Sequence, residues 1–531
     1  MIHVTKKIER ALVSVSDKTG VVDFAKSLTR MGIEIISTGG TSKLLKENNV
    51  TVTEIAEYTG FPEILDGRVK TLHPKIHAGL LYRRERPEDE ETIRNLGVKP
   101  IDMVVVNLYP FEKATSQSTD VENAIENLDI GGPTMIRSAA KNYRSVVIVT
   151  DPSDYQTLTE ELEQSGAVSE PTRFQLMLKA FERTASYDVA IHSFFLERAK
   201  EQGLHSEWPA PKRLLMSFEK IQDLRYGENP HQKAAVFRDS LAKTCIATAK
   251  QVAGEKELSF TNILDADAAY SLISQFKEEN ATIIIKHTNP CGVAKGSTLA
   301  ESCRLALLTD PISAFGGVYA FTKPVDLDTA SILEDKFVEL ILAPGFEPDA
   351  LKLLSSKKNR RILDVSEFWN HGAEKNVEKD FKRVLGGILY QDRDQSAIDE
   401  SQLKVVTRRT PTKSEREALL FAWKIVKNVK SNAIIFCSNN QLLGVGAGQM
   451  SRVDSCKIAI MKAQEAGMTL QESMMASDAF FPFRDSVDLA GKAKVTGIIQ
   501  PGGSMRDEEV IRAADEYGMI MLLTGIRHFL H

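Results

Sequence analysis

Lys286 and His287 stand where the apolar run from Ala281 to Ile285 turns polar, just before Thr288, Asn289 and Pro290. The run reads as a buried strand, and open α/β sheets bind ligands beyond the carboxyl ends of their strands. Histidine titrates near neutral pH, and an adjacent lysine favours its neutral, proton-accepting form, so the pair suits general-base work. Groups that could face the same substrate recur elsewhere: Arg225 and Tyr226 in RYGENPHQ, Asn432, Arg452 in GAGQMSR, Phe480 and Asp485 in DAFFPFRD, and Arg527 near the carboxyl end. Arginines can hold a phosphate or carboxylate and phenylalanines can stack on a flat heteroaromatic ring, although core packing explains Phe480, Phe481 and Phe483 equally well.

A second set of candidates lies in four loops of the amino-terminal part, SVSDKTG, STGGT, GRVKTLHPK and DIGGPTMIRSAAKN. Helix amino termini reached through Gly39, Gly40, Gly131 or Gly132 offer backbone N–H groups to an anion, and Lys18, Arg68 or Lys70 could complete the site for a nucleoside monophosphate. Asp129, before Gly-Gly-Pro, also reads as a helix cap, and Lys141 falls on the second or third turn of the helix that follows. Neither GxGxxG nor GxxxxGK[ST] occurs, so a dinucleotide fold and a P-loop are not supported. His287 with Pro290-Cys291 raises a zinc nucleobase deaminase, but that chemistry needs HxE and PCxxC. Asn289 replaces the acid and no second cysteine follows, so no metal is expected.

The elements that must carry these groups follow from periodicity. Ala11 to Ser16, Ile33 to Ile36, Met103 to Val106 and Val146 to Val149 are short apolar runs, each followed by a turn and a helix-like segment, which implies a parallel sheet covered on both faces. The polar stretch EQGLHSEWPAPKR, with Pro209 and Pro211, interrupts the pattern and reads as a linker. The expected organisation is a first domain over 1–199, a linker over 200–213 and a second domain over 214–531. Within the second, SCRLAL from Ser302 echoes SCKIAI from Ser455, which suggests two related α/β lobes. A chain of 531 residues exceeds one core, and a net charge of -5 without lysine or arginine blocks argues against sequence-independent nucleic-acid binding. Five scattered cysteines, and no apolar run of membrane-spanning length or signal-peptide pattern, fit a soluble cytoplasmic protein.

Taken together, SVSDKTG, GRVKTLHPK, NLYPF, DIGG, RYGENPHQ, KHTNPCG, GAGQMSR and SDAFFPFRD resemble, in order and over nearly the whole chain, the bifunctional purine biosynthesis family. That family joins a 5-aminoimidazole-4-carboxamide ribonucleotide formyltransferase to an inosine monophosphate (IMP) cyclohydrolase. The resemblance implies a methylglyoxal synthase-like doubly wound first domain and two cytidine deaminase-like lobes without zinc. It implies a nucleotide site of Ser16, Asp17, Lys18, Thr38, Gly39, Gly40, Thr41, Arg68, Lys70, Thr71, Asn107, Asp129 and Ile130, with Lys141 moving a proton and Tyr109 close by. For formyl transfer it implies Arg225, Tyr226, Asn432 and Arg527 around the ribonucleotide. Gly316, Glu339, Arg452, Phe480, Asp485, Ser504 and Met505 would surround the nucleotide or the 10-formyltetrahydrofolate cosubstrate. His287 would be the base, with Lys286 stabilising the transition state, and the protein would be a homodimer. Ser486 and Glu339 depart from residues found in some relatives, Asn and Asp. Two other readings are a ligand-binding regulator on an inactive deaminase-like scaffold, and a formyltransferase with a degenerate first domain. The second would need losses in RVKT or DIGG that the sequence does not show.

Overall fold

The structure is a computed structural model that describes residues 7–109, 111–116, 120–206, 208, 210–240, 242, 246–369 and 379–531. Pro110 of NLYPF, Pro209 of the linker and Cys245 lie outside the described residues. The chain forms two compact units, Met1–Phe218 with Asp239–Leu241, and Glu219–Arg238 with Ala242–His531.

The first unit is built on β1 (Arg10–Val15), β2 (Glu34–Ser37), β3 (Thr53–Glu54), β4 (Met103–Asn107) and β5 (Val147–Val149). All neighbours pair in parallel, in the order β3-β2-β1-β4-β5. Ala11, Leu12 and Val13 and the run Met103–Val106 are buried without alternation, as strands covered on both faces require. The strand order reverses between β1 and β4. Their carboxyl ends therefore open the crevice where doubly wound sheets bind ligands.

The second unit opens with a hairpin of β6 (Phe218–Leu224) and β7 (Ala234–Asp239). Its first lobe contains β8 (Lys250–Ala253), β9 (Asn280–Lys286), β10 (Asn289–Gly296), β11 (Val318–Phe321), β12 (Leu340–Ala343) and β13 (Arg361–Asp364). A second hairpin, β14 (Lys379–Val384) and β15 (Gly387–Asp392), leads to the other lobe. That lobe contains β16 (Lys404–Val405), β17 (Ile434–Cys437), β18 (Leu442–Gly446), β19 (Met474–Ser477), β20 (Gly497–Gln500) and β21 (Ile520–Leu523). The sheet orders β10-β9-β11-β12-β13-β8 and β18-β17-β19-β20-β21-β16 match strand for strand. So do the directions: antiparallel at the first two pairings, parallel at the next two, antiparallel at the last. The two SC motifs occupy corresponding helices, Leu299–Thr309 and Arg452–Glu465.

Alternation along the strands explains how the lobes pack. Ile283 and Ile285 of β9, with Ile435 and Cys437 of β17, enter a core shared by both lobes. Ile284 faces an outer core of the first lobe, and Ile434 and Phe436 face one of the second. The period of two serves two buried faces at once. One expectation is corrected here. β9 runs antiparallel to β11, so its carboxyl end, with Lys286 and His287, lies at the amino ends of the parallel strands β11 and β12 rather than at their carboxyl ends.

Candidate functional site

At the switch point of the first unit, the Asn107 carboxamide ties the loop after β1 to the end of β4. Its Oδ1 accepts the N–H groups of Ser16 and Asp17 at 2.6 and 2.9 Å, and its Nδ2 donates to the Asp17 carbonyl at 3.1 Å. Lys18 Nζ turns back to donate to the Thr41 hydroxyl at 2.6 Å and to the Val15 carbonyl. Thr38 caps the helix Gly39–Glu47 in an extended conformation, its hydroxyl 2.8 Å from that of Ser14. A Cβ on Gly39, whose φ is +44°, would lie 3.9 Å from Lys70 Nζ, while Gly40 faces open space. Burial, and then the charge of Lys70, lower the Lys18 pKa.

The DIGG segment adjoins these loops. Gly131 begins the helix Gly131–Lys141 so close to Thr71 that a Cβ would come within 2.4 Å of its hydroxyl. Asp129 Oδ1 accepts the Gly132 N–H at 2.8 Å, and the Asp129 N–H donates to the buried Tyr187 hydroxyl at 2.9 Å. Burial raises the Asp129 pKa, opposed by the N–H groups of Gly132 and Tyr109 and by the charge of Lys70. Lys18, Lys70, Thr71, Tyr109 and Asp129 thus share one edge of the sheet. Ile130 is exposed beside them, and Arg68 pairs with Glu126. Lys141 is not part of this cluster. It ends the helix whose first residue is Gly131, about 15 Å away at 1.5 Å per residue, and its side chain is exposed.

In the second unit, β9 and β10 are joined by His287 and Thr288, with φ of 51° and 60°. Positive φ at both central residues is the signature of a two-residue hairpin turn that normally selects Asn and Gly. Lys286 Nζ donates to the carbonyls of Phe315 and Gly316, each at 3.1 Å. Gly316 has φ +66°, and a Cβ there would meet the Phe337 ring at 2.9 Å. Glu339 pairs with Arg361 at 3.0 Å. Lys286, His287, Asn289, Cys291, Asp310 and Lys462 line a pocket of ≈ 230 Å³, in which burial pushes the Cys291 thiol up to about 12.

The second lobe brings its own polar centre to the same turn. Asn289 Oδ1 accepts the Lys430 N–H at 2.9 Å, two residues before Asn432. Asn432 Oδ1 accepts from Arg452 at 2.9 Å, and Arg452 is ion-paired with Asp478, whose side chain is fully buried. A second pocket of ≈ 330 Å³ joins Phe480 and Phe483 to Ser504, Met505 and Arg506. The Arg506 guanidinium lies 4.7 Å from the Phe483 ring centre. Asp485 starts the next helix and accepts the Ser486 N–H at 2.7 Å. Arg225 covers the Tyr226 ring at 5.6 Å and Arg527 covers Phe529 at 4.3 Å, both with exposed guanidinium groups. Asp265, Lys430 and Asp478 are site neighbours that sequence reasoning missed. Asp478 lay within a quoted motif, whereas Asp265 sits on a helix with no spacing signal. Among the described residues no His, Cys, Asp and Glu cluster is placed to hold a metal, and no helix is long and apolar enough to cross a membrane.

A family model described as the AICARFT/IMPCHase bienzyme matches residues 139–462, more than half of the chain, and one described as the MGS-like domain matches residues 20–134. A solved structure described as the crystal structure of ForH is 34% identical over 35% of this chain and 99% of that chain, with a TM-score of 0.33. A doubly wound first unit and a second unit of two matched α/β lobes fit the two-domain build of a bifunctional enzyme. The chain belongs to the AICARFT/IMPCHase bienzyme family. It catalyses the two final steps of purine synthesis, formyl transfer to the aminoimidazole carboxamide ribonucleotide and cyclohydrolysis to IMP.

Proposed function

We propose that 10-formyltetrahydrofolate is the donor, that residues 214–531 transfer its formyl group and that residues 1–199 close the ring, with 200–213 as the linker. The observation that carries this reading is that each unit has its own cationic centre at a sheet edge, Lys18 with Lys70 in one and Lys286 with His287 in the other. In the transfer, the ring amine of the substrate attacks the formyl carbon while His287 takes the amine proton, and the donor nitrogen leaves with a proton. That amine is conjugated with the ring and weakly nucleophilic, so base assistance matters. Lys286 offers positive charge to the developing oxyanion. Asn432, Arg225, Tyr226 and Arg527 hold the ribonucleotide; Arg452, Phe480, Asp485, Ser504, Met505, Gly316 and Glu339 surround the nucleotide or the folate.

Ring closure is intramolecular: the carboxamide nitrogen attacks the formyl carbon of the same molecule and water leaves. A site that enforces the reactive rotamer and supports the oxyanion removes much of the barrier. Lys18, Thr38, Gly39, Gly40 and Thr41 suit the phosphate, and Lys70, Tyr109 and Asp129 the reacting end. The family resemblance supports proton transfer by Lys141, a homodimer and a cytoplasmic location. Within one chain Lys141 ends the helix that Gly131 begins, a helix length from the DIGG turn. The deciding assay follows IMP from the aminoimidazole ribonucleotide and 10-formyltetrahydrofolate with Lys70→Ala and Lys286→Ala chains. Lys70→Ala is expected to accumulate the formylated intermediate and Lys286→Ala to form none; the same block from both would sink the division.

A further inference from the structure

The turn that presents His287 is expensive to hold. Thr288 is β-branched, and a β-branched residue at φ 60° is a steric outlier; His287 beside it, at φ 51°, is also left-handed. Two-residue turns of this kind ordinarily use Asn and Gly, and neither is present. Something outside the hairpin has to favour this conformation. The group in place is Asp265, on the helix Phe260–Ile273, whose start is fixed by a capping box between Ser259 and Asn262. Asp265 Oδ1 accepts the Thr288 N–H at 2.7 Å. The Thr288 amide therefore ties the turn to a half-buried carboxylate. A carboxylate receiving a backbone N–H makes a charge-assisted bond, about twice as strong as a neutral one. From the other side, Asn289 Nδ2 donates to the His287 carbonyl at 3.1 Å.

We propose that Asp265 is a positioning residue for formyl transfer, holding His287 and Thr288 in the left-handed turn that aims the His287 imidazole at the substrate amine. This rests on the reading of His287 as the base. Without the carboxylate the turn relaxes toward ordinary φ values and the imidazole swings away. A displacement of about 1 Å at a catalytic group can cost roughly 10²-fold in rate.

The test uses the full chain with formyl transfer, cyclisation and melting measured on each preparation. Asp265→Ala is expected to lower the transfer kcat by about 10- to 100-fold with KM for the ribonucleotide little changed. Cyclisation, on the other unit, stays at its normal rate and reports the folded fraction. Adding Thr288→Gly, which removes the steric penalty of the left-handed conformation, is expected to recover a large part of the loss. In a His287→Ala background, Asp265→Ala is expected to cost nothing further, because both changes remove one function. If Asp265→Ala leaves the unit poorly folded, Asp265→Leu, which fills the space but offers no acceptor to the Thr288 N–H, is read the same way. Normal transfer in a folded Asp265 variant, or the full Asp265 penalty persisting in the His287→Ala background, overturns the positioning role while leaving His287 as the base. Normal transfer by folded His287→Ala overturns the base reading, and this proposal with it.

Discussion

The two lobes of the second unit share a strand order, and on the proposed assignment they divide the chemistry between opposite edges. In the first lobe the hairpin after β9 carries Lys286 and His287; the corresponding turn of the second lobe, after β17, is Ser438-Asn439-Asn440, a plain turn closed by the Ser438 N–H on the Gln441 carbonyl at 2.8 Å. At the other edge the roles reverse. The second lobe buries Arg452 against Asp478. By helix and strand register the first lobe has Leu299 and Thr322 at those places, an apolar side chain and a hydroxyl that donates to the Glu279 carbonyl at 2.6 Å. The two lobes thus match in strand order, bulged hairpins and core, while on this reading each uses only one edge for function. The Lys430 N–H on Asn289 Oδ1 joins the two lobes at the turn after β9.

The largest effect expected from breaking this division is at His287. His287→Ala should lower formyl transfer by about 10²- to 10⁴-fold, the range for a positioned base, with cyclisation unchanged. A purely structural His287 would instead lower the melting temperature and reduce activity only with the folded fraction. At the other functional edge, Arg452→Met leaves the Asp478 carboxylate buried without its cation. The expected cost is about 3–5 kcal/mol, read by denaturant unfolding of the full chain. Leu299→Met at the matching place in the first lobe is a near volume-conserving change that should cost under about 1.5 kcal/mol. Similar losses from the two would mean that the buried Arg452–Asp478 pair does not set the second lobe's edge apart in stability.

The shared framework makes a third, smaller prediction. Gly292 of β10 and Gly444 of β18 let the corresponding helices lie against the strands, since a Cβ would stand 2.2 Å from the Ala306 carbonyl and 2.3 Å from the Ala459 carbonyl. Gly292→Ala and Gly444→Ala should each destabilise the unit by about 1–3 kcal/mol, and by similar amounts. A loss confined to one lobe would show that the packing match does not extend to energetics.

That match explains what could be read from the sequence. Cys303 and Ala306, and Cys456 and Ala459, are fully buried small residues on the helices facing those glycines, so the close approach restricted the residue types twice and left a visible echo. The loops of the first unit were legible for a similar reason: glycines and cations cluster where helix starts meet strand ends. Strand direction was not legible. A run such as Ala281 to Ile285 is buried on both faces whichever way its neighbour runs, and the turn after it lacks the Asn-Gly pair that signals a hairpin. Asp265 was silent because one acid on a helix has no periodic partner, and the distance of Lys141 from Lys70 is set by helix length, which a motif does not encode.

The smallest effects distinguish carboxylates that support the fold from those that burden it. Asp394, in the segment leading into the second lobe, lies 2.5 Å from His528. Burial would raise its pKa, but the hydrogen bond and charge of His528 and the charge of Lys427 prevail and hold it well below the usual carboxylate range. Asp265, at the functional edge of the first lobe, is raised, because burial outweighs the Thr288 N–H and the charges of His287 and Lys286. The signs are opposite. A depressed carboxyl contributes stability above its unfolded value, near 3.9, and that contribution fades as pH falls from there toward the folded value. A raised carboxyl costs stability when ionised, and the cost fades as pH falls through its raised value toward the unfolded one. Asp394→Asn is therefore expected to lower the melting temperature at neutral pH and to flatten its decline below about pH 4. Asp265→Asn is expected to leave the neutral-pH melting temperature unchanged or slightly higher, even though formyl transfer falls. A carboxylate whose removal harms turnover but not stability is held in place for the turn it aims. If Asp265→Asn instead melts lower by as much as Asp394→Asn, both acids serve the fold, and the functional edge of the first lobe reduces to Lys286 and His287 alone.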